Sequence, residues 1–148
     1  MLSYPFGKKK SPTPGTIKEV ATGVYWLRMS LPFALDHINL WLLEDEDGWT
    51  IIDTGINSNQ TREAWEKIAV DFLNNKPVKR IIVTHLHPDH IGLAGWMTEY
   101  FNCPLWISKK EYELCAKILE VTRNPILQTA IQFYQSAGYN KTNSNFRV

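Results

Sequence analysis

The chain has 148 residues, of which 44% are hydrophobic, 12% aromatic and 21% charged, the composition of a single soluble globular domain. Sixteen Lys+Arg against fifteen Asp+Glu leave a net charge of +1, so no charge excess points to nucleic acid or an anionic membrane as a partner. No apolar run approaches the ~18 residues that span a bilayer, and the start MLSYPFGKKK has basic residues without the apolar stretch of a secretory signal.

Residues 1–16 carry Lys8-Lys9-Lys10 and three prolines with little to pack, and read as a flexible leader. Ile17 to Met29 predicts two short strands around Thr22-Gly23, where Val24, Trp26 and Arg28 alternate against Tyr25, Leu27 and Met29. Ile38–Glu44 is a strand that hardly alternates, the mark of burial on both faces. Asp45–Gly48 has turn composition, and Trp49–Asp53 returns as the partner strand, ending at Thr54-Gly55. Asn57–Asn59 offers capping residues for a helix over Gln60–Leu73, with Ala64, Trp65, Ile68, Phe72 and Leu73 on one apolar face. Asn74 to Pro77 stops it.

Val78–Thr84 predicts a central strand buried on both sides. Helices are expected over Ile91–Phe101, Lys109–Thr122 and Ile126–Ala137, with a short strand at Pro104–Ser108. The polar end NKTNSNFRV shows no element. Trp41, Trp65 and Trp96 sit at core-like spacings. Alternating strands and helices imply a layered α/β arrangement. Cys103 and Cys115 lack a CxxC spacing and read as buried thiols in a cytoplasmic protein; the sequons at Asn59 and Asn140 then read as chance matches.

Chemistry concentrates in Thr84-His85-Leu86-His87-Pro88-Asp89-His90, which holds three of the four histidines. At the end of an extended segment, side chains two apart point the same way, so His85 and His87 can present both rings to one ion. Pro88 bends the chain, and Asp89 and His90 can address a second point a few ångströms away. Imidazole and carboxylate suit zinc first, with manganese or iron as alternatives. The plain alternative is that the two histidines end a strand and Asp89 caps a helix beginning near Ile91. His37, beside an apolar run, reads as a structural residue, with pocket lining as the second reading.

This HxHxDH motif after an apolar strand, with an upstream strand ending in Asp53-Thr54-Gly55, resembles the metallo-β-lactamase-fold hydrolase superfamily over about Val20 to Ala137. The strings HINLWLLE, IIDTG, THLHPDHIG and FYQSAGY are similar to its glyoxalase II-like branch. The resemblance implies an α+β fold, the first half of an αββα sandwich with a mixed sheet flanked by helices. Residues 17–148 would form the N-terminal part of such a domain, with about 109–148 a helical insertion. It further implies that His85 and His87 bind one metal, that Asp89 and His90 contribute to a second, and that Asp89 orients the attacking water. Asp53 would hold the ligand loop, against its reading as a strand-end turn residue.

The family pattern also calls for later histidines and a bridging Asp, and no His or Asp follows His90 in this chain. The expectation is a metal-dependent hydrolase of esters or thioesters, incomplete in this chain alone, taking a small-molecule substrate and holding metal weakly. The other reading is a non-catalytic metal-binding or oligomerisation module, with self-association through the sheet face that lacks its partner layer.

Overall fold

The computed structural model describes residues 11–32, 34–121 and 146–147. Their strands form one mixed sheet in chain order: β1 (Ile17–Ala21), β2 (Val24–Ser30), β3 (His37–Asp45), β4 (Gly48–Ile52), β5 (Val78–Val83), β6 (Leu105–Ile107) and β7 (Phe146–Arg147). The first four pair antiparallel and β4 to β7 run parallel. The helices are α1 (Asn59–Phe72), the single turn α2 (Pro88–Ile91), α3 (Ala94–Tyr100) and α4 (Lys109–Val121). The expected helix over Ile126–Ala137 lies outside the described residues, whereas β7 adds a short strand to the polar end, where no element was expected.

The register explains the core. Leu42, Ile51, Ile81 and Leu105 are paired across four strands and each is at most 1% exposed. On this face α1 lays Thr61, Ala64, Trp65 and Ile68, an i, i+3, i+4, i+7 stripe. Ser58 caps α1 by accepting the Thr61 amide at 3.1 Å, and Asn74 and Asn75 turn left-handed to end it. Across the other face runs a second paired row, Trp26, Trp41, Ile52, Ile82 and Trp106.

That row corrects two expectations. β3 alternates strictly from Ile38 to Leu42, with Asn39 and Trp41 outward, so it is buried on one face only. Trp41 is 38% exposed rather than a core residue; the near-continuous apolar string misled because its outward positions are also apolar. Ile82 of β5 is likewise only half-buried, while Trp65 is fully buried as expected. The last residues of the expected leader pack on the domain: Pro12 and Gly15 are buried, and Arg28 Nη1 donates to Ser11 Oγ at 2.7 Å.

The expected helix over Ile91–Phe101 is also corrected, since it is broken into α2 and α3. Thr54 supplies the cause: its amide donates to the His90 carbonyl at 2.7 Å, its hydroxyl donates to the same carbonyl at 2.8 Å, and that hydroxyl accepts the Leu93 amide at 3.1 Å. These bonds replace helical ones and dock the segment on the β4 turn. Gly92 permits the approach, because a Cβ there would lie 2.3 Å from the Pro88 carbonyl and 2.7 Å from both Asn57 N and the Gly55 carbonyl. No helix among the described residues is long and apolar enough to cross a membrane.

Candidate metal centre

β4 and β5 are parallel neighbours, so their C-terminal ends open on the same rim, the usual place for a site in such sheets. Asp53 follows β4 directly and is 5% exposed, with φ of 62°. The left-handed turn swings its carboxylate across to β5, where Oδ1 accepts the Thr84 amide at 2.7 Å and Oδ2 accepts the Thr84 hydroxyl at 2.8 Å. Oδ2 also faces His90 Nδ1 at 2.8 Å. Asp53 therefore joins the end of β5 to α2.

The rings of His85, His87 and His90 come together. His85 and His90 have centroids 3.9 Å apart, and His85 and His87 meet edge-on at 4.5 Å. His85 Nε2 faces His87 Nδ1 at 3.0 Å, while His85 Nδ1 lies 3.0 Å from the Thr84 hydroxyl. His90 is thus beside His85 rather than at a separate point. Asp89 lies within α2, whose N-cap is His87, so it is not the capping residue of a helix from Ile91. Its Oδ2 stands 3.6 Å from His90 Nε2.

Charge sorts these rings. Burial lowers the pKa of His85, and the neighbouring His90 and His87 lower it further. For His90, burial also pulls downward, but the hydrogen bond and charge of Asp53, with the charge of Asp89, more than offset it and the pKa rises. His85 is therefore held neutral with a lone pair to offer.

Two imidazole nitrogens that face each other at 3.0 Å need either a proton on one of them or a cation shared by both lone pairs. The donor set thus fits a divalent cation in kind. It is short in number: among the described residues no group of three or more His, Cys, Asp or Glu side chains stands ready to hold a metal ion. His37 is not in the cluster; it opens β3 and its Nδ1 pairs with the Asp36 carboxylate.

Three supports went unrecognised in the sequence. Thr84 and Thr54 brace the loop from either side, and their positions next to His85 and Asp53 were the available signal. Glu111 in α4 accepts the Leu86 amide at 2.8 Å, between the first two histidines; nothing local marks a residue 25 positions away. Cys103 and Cys115 are buried and are joined by no disulfide, as expected.

Comparison with known proteins agrees with this geometry. Residues 34–133 match the model of the metallo-beta-lactamase superfamily. The chain is similar to the probable metallo-hydrolase YybB of Bacillus subtilis, 36% identical over 74 residues that make up 50% of this chain and 31% of that protein. It is also similar to the linear primary-alkylsulfatase of a Pseudomonas species, 38% identical over 61 residues, 39% of this chain and 11% of that one. A beta-lactamase domain protein from Burkholderia ambifaria superposes with a TM-score of 0.73 at 49% identity, covering 78% of this chain and 38% of its own. The chain therefore spans less than half the length of these relatives. Its sheet and helices correspond to the first half of their sandwich. A matching family model over most of the chain, on a strand rim carrying the HxHxDH residues, makes this chain a member of the metallo-beta-lactamase superfamily.

Proposed function

We propose that this chain carries one half of a hydrolytic centre in which an activated water attacks the carbonyl of an ester or thioester. The observation that supports this most is the meeting of the His85, His87 and His90 rings at the rim of β4 and β5, with Asp53 and Asp89 beside them. In this reading His85 and His87 hold one divalent ion, and Asp89 with His90 helps hold another; zinc suits these donors, with manganese or iron as alternatives. When bound, such an ion supplies Lewis acidity and makes water nucleophilic near pH ~7. Asp89 would orient the attacking water through its carboxylate. Asp53 would keep the proton of His90 on Nδ1, which would leave the Nε2 lone pair free to help hold an ion. The further His and Asp ligands that the family pattern calls for are not found after His90 in this chain. Thioester cleavage follows the glyoxalase II-like strings, and the alkylsulfatase among the relatives keeps ester chemistry ahead of lactam opening. Two buried cysteines outside any disulfide support a cytoplasmic setting.

Zinc content and thioesterase or esterase turnover, measured on the chain and on His87→Ala, test this reading. Weak zinc uptake that His87→Ala abolishes is expected. Equal zinc content and turnover in the two proteins, or no uptake by either, would refute it.

A self-associating module is the second reading. It is favoured by the row Trp26, Trp41, Ile52, Ile82 and Trp106, in which Trp41 and Trp106 are 38% and 42% exposed. Sedimentation of the chain against a Trp41→Ser/Trp106→Ser variant decides it: a parent dimer that the variant loses supports association, and a monomeric parent excludes it.

A further inference from the structure

β6 runs parallel to β5, with Val83 paired to Ile107, so the chain leaving β6 emerges on the same rim as the histidines. That chain is Ser108 and the first turn of α4. Ser108 caps the helix: its hydroxyl accepts the Glu111 amide at 3.3 Å and its carbonyl accepts the Tyr112 amide at 3.0 Å. Ser108-Lys109-Lys110-Glu111 is thus a sequence in which the glutamate commonly turns back on its own helix end. Here its Oε2 reaches across to another loop and accepts the Leu86 amide at 2.8 Å.

Leu86 lies past the end of β5, outside the ladder that holds the strand. Its side chain is buried in the core, and its backbone joins His85 to His87. In an extended segment two such rings share a side only while the peptide units between them keep their orientation; a rotation about Leu86 would separate them. That rotation has a driving force, because His85 Nε2 and His87 Nδ1 face each other at 3.0 Å and two bare lone pairs repel. A carboxylate on the Leu86 amide opposes it with a charge-assisted bond, roughly twice as strong as a neutral one. On the other side of His85, Asp53 accepts the Thr84 amide at 2.7 Å. His85 therefore sits between two amides gripped by carboxylates, one from the β4 side and one from the β6 side.

We infer that Glu111 is a positioning residue for the histidine pair: by holding the Leu86 amide, it keeps the His85 and His87 rings facing one point. It acts as a hydrogen-bond acceptor placed by α4, and its charge matters only through the strength of that bond. The consequence for cation affinity rests on the metal reading proposed above, whereas the ring geometry does not depend on it.

Two measurements by NMR test this in the parent chain, Glu111→Ala, Glu111→Gln and Ser58→Ala. The first, in chelator, is the ring-to-ring nuclear Overhauser effect between His85 and His87. The second is a zinc chloride titration read from the ring nitrogens of the same two residues. Glu111→Ala should lose the ring-to-ring effect and bind zinc about tenfold more weakly, the lower end of the loss found when a metal ligand's support is removed. Glu111→Gln keeps an acceptor at the same reach and should restore both. Ser58→Ala removes the cap of α1 and lowers stability to a similar degree, yet should change neither. The inference is overturned if Glu111→Ala keeps the parent's ring contact and zinc affinity, if Glu111→Gln is as impaired as Glu111→Ala, or if Ser58→Ala weakens zinc binding equally. A parent chain that takes up no zinc sinks the metal reading, and the measurement in chelator then decides the role of Glu111 by itself. Should Glu111→Ala fail to fold by circular dichroism, Glu111→Asp takes its place, since it keeps the charge but falls one methylene short and should lose the ring contact.

Discussion

Asp53→Asn separates the charge of this side chain from its shape. Asn tolerates the left-handed backbone that Asp53 adopts at φ 62°, whereas Ala does not. The new amide oxygen stays on the Thr84 amide, which leaves the NH2 group facing the Thr84 hydroxyl and His90 Nδ1. The hydroxyl can accept. His90 Nδ1 then has to accept as well, which moves the ring proton to Nε2 and removes the lone pair from the side nearest Asp89. Asp53→Ala instead strands both Thr84 donors at ~1 kcal/mol each, because Thr84 is exposed and water substitutes in part. Left-handed strain adds ~1 kcal/mol, for ~3 kcal/mol in all. At 2–4 °C per kcal/mol for a chain of this size, the alanine variant should melt about 6–12 °C lower and the asparagine variant about 2–4 °C lower.

The pH dependence has a definite sign. The pKa of His90 is raised in the fold, since Asp53 and Asp89 outweigh its burial. Its protonated ring then stabilises the folded state fully below pH 6.5, and that contribution is lost as pH rises through the higher folded value. In chelator, the melting temperature of the parent should fall with rising pH across this window, and Asp53→Asn should lose most of the slope. Thermal melts and long-range nitrogen-15 spectra of His90 check both points. If His90 keeps its proton on Nδ1 in Asp53→Asn, or the two variants melt alike, the role given to the carboxylate is wrong.

Glu111→Ala should speed hydrogen exchange at the Leu86 amide and lower stability by ~1–2 kcal/mol, since Leu86 is buried and loses its acceptor, while Glu111→Gln should restore protection. Gly92→Ala should cost ~3 kcal/mol or more, because the added Cβ meets only backbone at 2.3–2.7 Å; a urea midpoint equal to the parent's would contradict the docking described for α2. Burial pushes the Cys103 thiol up to about 11, so iodoacetamide at pH 8 should label it slowly in the native chain and quickly in urea. The same shift, from 9.0 to about 11, means that its contribution to stability is present below pH 9.0 and is lost as pH rises through the folded value.

The sequence was most legible where one residue pattern had one physical outcome. Alternation in β2, the acidic two-residue turn between Asp45 and Gly48, and the stripe on α1 all appear where they were expected. It was least legible where an outward position is also apolar. Trp41 and Ile82 look like core in one dimension, and only pairing with Trp26 and Trp106 shows that they share an outer face. The helix expected over Ile91–Phe101 begins only at Ala94 for a comparable reason. Its residues have adequate local propensity, but Thr54, 36 residues before His90, takes over the carbonyl and amide that would have continued it.

The histidine cluster was legible as composition and only partly as geometry. Spacing alone placed Asp89 and His90 at a point apart from His85 and His87, yet the His90 ring lies beside His85, with centroids 3.9 Å apart and planes tilted by 49°. That closeness follows from Asp53, which draws His90 Nδ1 to itself while gripping Thr84 next to His85. Its electrostatic consequence is a division of labour among chemically identical side chains. Protonating His85 would place a cation against two other rings in a partly buried position, so its pKa falls and its lone pair is kept available. His90, bonded to a carboxylate, is pushed the other way. A cluster of equal histidines would take up a proton wherever solvent reached it. This one directs the proton to His90; under the proposed reading the facing nitrogens of His85 and His87 would then be left for a cation, and the buried carboxylate of Asp53 would matter as much as the motif it supports.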